Sequence, residues 1–449
     1  MRSVLYFASI LVCFSLPLRL CAAAEPESPA PTSVEAQAAA APLSAAIAPI
    51  VPIAEYSLPP DKLEKSAALY RTGVILFVLG TLYGIGVLAL VLGLRISARF
   101  RDLAERTSPR RFIQAIIFVP LLVLTMDGMS LPLSVYGHHL ATDYGLSVQG
   151  WGSWFWDWIK GELLSVVIAS LLIWGLYAIL RRAPTRWWLY GWLAMIPVLL
   201  LLVFITPVFI DPMFNTFEPL EAKQPQLVTA IEGVTHRGGL EIPRSKMFEM
   251  RASDKVTTYN AYVTGIGASK RVVVWDNTSK DMTIPQTLFV FGHEQGHYVL
   301  NHIWKGLTLS IAGLLIVFYI AYRSIGGIIR RWGPKWGVRE TSDWASLPVL
   351  LLIFTFVSLV SQPISAGVSR YFEHQADLYG LEVIHGLVPD SSQVAAQAFQ
   401  KLGEKGLSYP TPNPFYVFWS YDHPAISDRV RFAVGYRPWD EGKATQFVK

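Results

Sequence analysis

Apolar residues gather in blocks long enough to cross a bilayer, separated by polar stretches that are short early in the chain and long later. A transmembrane helix needs about 20 mostly apolar residues, and this pattern predicts six spans, at 72–94, 112–136, 163–180, 187–209, 307–322 and 347–368. Two polar parts remain, residues 211–306 and the tail after the sixth span. In the first, "SKMFEMRASDKVTTYNAYVTGIGASKRVVVWDNT" alternates small apolar and polar residues around Gly265 and Gly267, which predicts a short antiparallel sheet with turns at the glycines. Next, "PQTLFVFGHEQGHYVLNHIWKG" places a proline near a start signal, spaces its apolar residues helically and holds no breaker before Gly306, so HEQGH is expected on a helix.

Composition agrees with a membrane protein: 52% of the 449 residues are hydrophobic and 16% charged. The opening "MRSVLYFASILVCFSLPLRLCAAAEPE" has an early Arg2, an apolar centre too short for a span and a run of alanines, and reads as a signal peptide cut after Ala24. Both cysteines, Cys13 and Cys21, leave with it. The mature chain then has no thiolate ligand, and any metal must be held by His, Asp and Glu. Residues 25–68 are Ala- and Pro-rich without periodicity and read as an extended linker that buries no core. The net charge of +5 comes from arginines in three short connections, around Arg95 to Arg111, Arg181 to Arg186 and Arg330 to Arg339. Such loops face the cytoplasm. Parity then puts both polar parts outside it, and the charge carries no implication of nucleic-acid binding.

His293 and His297 are four apart, so on a helix they present their imidazoles to one ion from the same face. Glu294 lies one residue's rotation away, placed to take a proton from water at that ion. A catalytic zinc needs a third protein ligand. His302 fails on a regular helix, where it points about 180° from His293, and is given a supporting or helix-end role. In "SRYFEHQADLYG", Glu373 and Asp377 are also four apart, one to ligate and the other to hydrogen-bond a ligating histidine; His374 is the fallback. "TYNAYVTG" reads as an edge strand able to pair with an extended peptide, with Asn260 and Tyr262 facing substrate. In "SYDHPAISDRV", His423 and Arg429 are candidates to stabilise an oxyanion.

Four pieces in order, "NAYVTGIGASKRVVVWD", "GHEQGHYVLNH", "SRYFEHQAD" and "DHPAISDR", with "DPMFNTFEPL" ahead of them, resemble the type I CAAX prenyl endopeptidases, integral-membrane zinc metallopeptidases. The resemblance spans roughly residues 112–431. It implies His293, His297 and Glu373 as ligands of one zinc ion, Glu294 as catalytic base and Asp377 in a supporting acidic role. Asn260 and His423 would contact the substrate and its oxyanion. It also implies a helical chamber and cleavage near the C-terminus of prenylated proteins. Members of eukaryotic origin have a further first helix and face the cytosol, whereas this chain reads as bacterial, in the inner membrane, with its site toward the periplasm.

The expected fold is mainly α: a multi-pass transmembrane bundle with a zincin-like α+β metallopeptidase domain split around the last two spans. Signal peptide 1–24, linker 25–68, helices one to four over 69–210, a first peptidase part 211–306, helices five and six over 307–368 and a second part 369–449 make up the organisation. The expected function is a zinc endopeptidase acting on membrane-associated polypeptides, lipidated or misfolded ones included, with the bilayer as partner and no nucleic acid. Two alternatives stand beside it. One is a site-two type protease with HEQGH inside the bilayer; the other is a transporter or scaffold with a degenerate metal site, invited by Asp127 within the second span.

Overall fold

The computed structural model describes residues 51–265 and 270–448. The expected signal peptide and most of the expected linker lie outside the described residues.

Among the described residues, six helices are long and apolar enough to cross a membrane, and each holds all or most of one predicted block. They are α1 (Pro60–Gly93), α3 (Arg111–Asp143), α4 (Trp151–Arg182), α5 (Trp187–Ile205), α9 (His302–Trp336) and α10 (Leu347–Ile384). A π-helical turn, Thr206–Ile210, and a last α turn, Asp211–Phe214, prolong α5. Between the first two spans lies a short amphipathic helix, α2 (Ile96–Thr107). The helices outrun the apolar blocks. At 38 residues, α10 is roughly 57 Å long at ~1.5 Å per residue, well beyond a ~30 Å hydrocarbon core. Its C-terminal turns therefore carry Glu373 and Asp377 into the polar part.

The first polar part holds β1 (Phe217–Pro219), α6 (Pro225–Arg237), β2 (Met247–Met250), β3 (Ala261–Thr264), β4 (Arg271–Trp275), α7 (Asp276–Asp281) and α8 (Ile284–Val299). The second holds α11 (Ser391–Lys405), α12 (Pro414–Ser420) and α13 (Ile426–Gly435). The four strands form one sheet in the order β1-β2-β4-β3. It is mixed, not antiparallel throughout as expected: β4 runs antiparallel to β3 but parallel to β2. The segment joining β2 to β3 is long enough to leave a gap, which β4 fills; Gly265, at the end of β3, has φ +90°, and the other expected turn glycine, Gly267, lies outside the described residues. As expected, β3 is the edge strand on that side.

Among the described residues, two large apolar cores stand apart. One joins α6, α8, α11, α13, the sheet and the end of α10; the other joins the membrane helices. The end of the expected linker belongs to the first. Tyr56 is buried there and donates its hydroxyl to Ser408 O at 2.8 Å, and the amide of Gln393 both accepts from Ile53 N (2.7 Å) and donates to Ile53 O (3.2 Å). Further along α11, Gln400 grips Ser57 in the same two-way fashion. Glutamines two helical turns apart thus read the backbone of an extended segment, so residues 51–58 form a strap on the peptidase part rather than a free linker, and α1 begins at Pro60.

Candidate active site

Helix α8 starts on a capping box: Thr283 Oγ1 accepts from Gln286 N, the Gln286 side chain accepts from Thr283 N, and proline occupies the first turn. Its other end differs from expectation. The helix stops at Leu300, Asn301 turns left-handed (φ 57°), and α9 begins at His302. Asparagine tolerates this conformation better than most residues. The turn re-aims His302, so the regular-helix argument that sent it away does not hold here.

Glycines let α8 and α10 cross closely. A Cβ on Gly292 would lie 2.7 Å from Val383 Cγ1, and one on Gly380 would lie 2.9 Å from the backbone nitrogen of His293. Real side chains do not approach so near. The crossing brings the histidines of one helix onto the carboxylates of the other.

His293 Nε2 lies 3.2 Å from His297 Nε2 and 3.3 Å from Glu373 Oε2, and His297 Nε2 lies 3.5 Å from Glu373 Oε1. Ligands at ~2.0–2.1 Å from a tetrahedral centre are about 3.3–3.4 Å apart. The donor atoms therefore fit a small divalent cation, and these three residues form the metal-capable group found among the described residues. A further observation agrees: Glu373 Oε2 is buried without a hydrogen bond.

His293 is oriented from behind. Asp377 Oδ1 accepts from His293 Nδ1 at 2.8 Å, and Arg429 closes on Asp377 in a fork, Nε to Oδ2 at 2.8 Å and Nη2 to Oδ1 at 2.5 Å. Burial alone pushes the His293 imidazole toward neutrality, but Asp377 and Glu373 outweigh it and raise its pKa to about 10 in the metal-free protein. Burial lowers His297 to about 3, aided by the neighbouring histidines against Glu373. Binding of a cation at such a pair is coupled to release of protons.

A cavity of about 630 Å³ opens onto this cluster and is lined by His293, Glu294, Asn260 and His423 among others. Asn260 is held by its backbone, N to Thr278 Oγ1 at 2.8 Å. His423 stands with Nε2 3.2 Å from Glu373 Oε2, and its Nδ1 meets Asp422 at 2.8 Å. Arg429 also lines the cavity, with its guanidinium forked on Asp377 and stacked on Phe399. Tyr262, also expected at the substrate, does not line the cavity: it lies on the face of β3 opposite the buried Ala261 and Val263, with its hydroxyl 4.0 Å from Met250 Sδ. His374 is exposed and packs on Phe432, away from the cluster.

The sequence reading missed the aromatic wall of the cavity, where Phe77 of the first span meets Tyr416 edge-on at 5.7 Å and Tyr409 and Tyr421 join them. The aromatic density of "LSYPTPNPFYVFWSYDHP" was its only local signal.

Residues 47–216 match a family described as the CAAX prenyl protease N-terminal region with five membrane helices, and residues 221–436 match peptidase family M48. The chain is 35% identical over 338 residues to YhfN of Bacillus subtilis, an uncharacterized metalloprotease, covering 75% of this chain and 77% of that one. It is 27% identical to CAAX prenyl protease 1 of Saccharomyces cerevisiae, over 71% of each. The crystal structure of S. mikatae Ste24p matches with a TM-score of 0.73 at 24% identity, covering 97% of this chain and 98% of that one, a likeness of fold.

Proposed function

The chain belongs to peptidase family M48 and is a membrane-embedded metalloendopeptidase, and from this premise we propose that it holds one zinc ion through His293, His297 and Glu373. The convergence of the three donor groups at tetrahedral-edge distances carries this reading. Zinc there supplies Lewis acidity to the scissile carbonyl and to water. Glu294, on the same cavity, takes the proton from the attacking water and passes it to the leaving amine. Asp377 keeps His293 in the tautomer whose Nε2 is free to ligate, and Arg429 neutralises Asp377. His423, exposed enough to reach substrate, donates to the oxyanion, and an extended peptide lies along the edge strand β3 beside Asn260.

The substrates we propose are membrane-associated polypeptides, lipidated or misfolded proteins among them, admitted along the aromatic wall shared with α1. The protein sits in a bacterial inner membrane with this site toward the periplasm. The intramembrane site-two arrangement is not favoured, since α8 is not one of the six span-length helices. Nor is a transporter or scaffold, given the match to a peptidase family.

Metal analysis of the detergent-purified protein tests the proposal. It should give about one zinc per chain, peptide cleavage should stop on chelation and return with zinc, and Glu373→Ala should lose most of the metal while its helix content is unchanged. Full zinc in Glu373→Ala would remove that residue from the site.

A further inference from the structure

His293 has a partner that fixes its proton, and His297 needs one too. A neutral imidazole ligates through one nitrogen only when its proton sits on the other. His297 Nδ1 lies 3.1 Å from Nδ1 of His302, so one of the two donates and the other accepts. His302 Nε2 lies 3.1 Å from Gln375 Oε1, an oxygen that only accepts. Gln375 Nε2 in turn donates to the Tyr371 hydroxyl at 3.2 Å. In this amide orientation His302 carries its hydrogen on Nε2, leaves Nδ1 bare and accepts from Nδ1–H of His297. The remaining nitrogen of His297, Nε2, keeps its lone pair for the point shared with His293 and Glu373.

We propose that His302 and Gln375 form a neutral relay that sets the tautomer and ring orientation of His297, the counterpart of Asp377 behind His293, and that His302 is a positioning residue of the metal site. The inference rests on the zinc site proposed above. The local structure is built for it. Asn301 breaks the helix in a left-handed turn, the ring of His302 lies flat on Phe372 (centroids 4.5 Å apart, 8° between planes), and His302 is 4% exposed. A neutral imidazole backed by an amide orients His297 without adding a further charge beside the buried carboxylates of Glu373 and Asp377.

Zinc affinity by chelator competition, together with the thermal stability of the metal-free protein, tests this on the full chain in detergent. His302→Phe keeps a ring on Phe372 but removes both polar contacts, and should weaken zinc binding roughly 10- to 100-fold, the usual effect of losing such an outer partner. In His302→Asn, Oδ1 takes the place of Nδ1 as acceptor, and most of the affinity should return. Gln375→Leu leaves His302 in place but frees its tautomer, and should give a smaller loss, readable even where His302→Phe does not fold. Wild-type affinity in His302→Phe or in Gln375→Leu, or an Asn variant as weak as Phe, would overturn the relay alone. Wild-type protein that binds no zinc would overturn the metal site and the relay with it.

Discussion

Glu373 and Asp377 are four residues apart on one helix, yet their surroundings give them different work. Asp377 has both oxygens engaged by His293 or the Arg429 fork, while Glu373 keeps a buried oxygen without a hydrogen bond. The spacing identified the pair, but the assignment of ligand against support needed the family resemblance in the sequence and donor distances in the structure. Asp276 is a third buried carboxylate with a supporting task. Its oxygens accept from Ser253 N at 2.9 Å, from the Ser253 hydroxyl and from Lys280 Nζ at 2.8 Å, tying the turn after β2 to α7, whose Thr278 holds Asn260 at the cavity. Burial opposes its charge, but these hydrogen bonds prevail and lower its pKa to about 2. A carboxylate depressed in the folded state stabilises it above the unfolded pKa of ~3.9 and loses that contribution as pH falls toward the folded value. Asp276 should therefore contribute about 2 kcal/mol at neutral pH. Thermal unfolding of wild type and Asp276→Asn should differ at pH 6 and converge as pH drops below 4. A gap of constant size would show that its ionisation does not matter.

The elements that place the site are the crossed helices α8 and α10, and the glycine seam between them sets their approach. Gly380→Ala forces a Cβ against the His293 backbone. Overpacking of this kind costs typically ~1–3 kcal/mol, and here the helices must part just where His293 meets Glu373 and Asp377. Zinc affinity should fall by at least about tenfold, with the membrane helices retained by circular dichroism; unchanged affinity would show that the crossing tolerates a methyl group. Helix α8 was legible because periodicity, Pro285 and the i, i+4 histidines agreed. The break at Asn301 was not, since asparagine inside a helical pattern is a weak stop signal until tertiary contacts favour the left-handed turn. The sheet was recognised but its pairing was not. Alternation marks strands, while the order in which they join depends on what fills the space between them.

At the scale of the whole molecule, two faces stand apart. On one, Arg101 is buried against Asp343 at 2.5 Å and Arg339 reaches Glu105 at 2.8 Å, which gathers the arginine-rich connections. On the other, the strap of residues 51–58, the connection after α3 and both peptidase parts meet, as Val148 N bonding Lys255 O at 3.0 Å shows. An even number of spans between strap and tail gives the same division, so the block pattern and arginine placement made this architecture readable from the sequence. The strap was not readable, because its contacts are glutamine amides on a helix more than 300 residues away. With Cys13 and Cys21 replaced by serine, an impermeant thiol reagent on intact cells should label Arg431→Cys and spare Arg106→Cys; the reverse pattern would turn the active site to the cytoplasm. The central claim, hydrolysis by a base working beside a metal, is tested most directly by cleavage and zinc content measured together in Glu294→Gln. The amide keeps the shape of the side chain but cannot take the proton, so zinc should remain near one per chain while cleavage falls about 10,000-fold or more, at or beyond the upper end for a general base. Near-native cleavage at full zinc occupancy would contradict the mechanism.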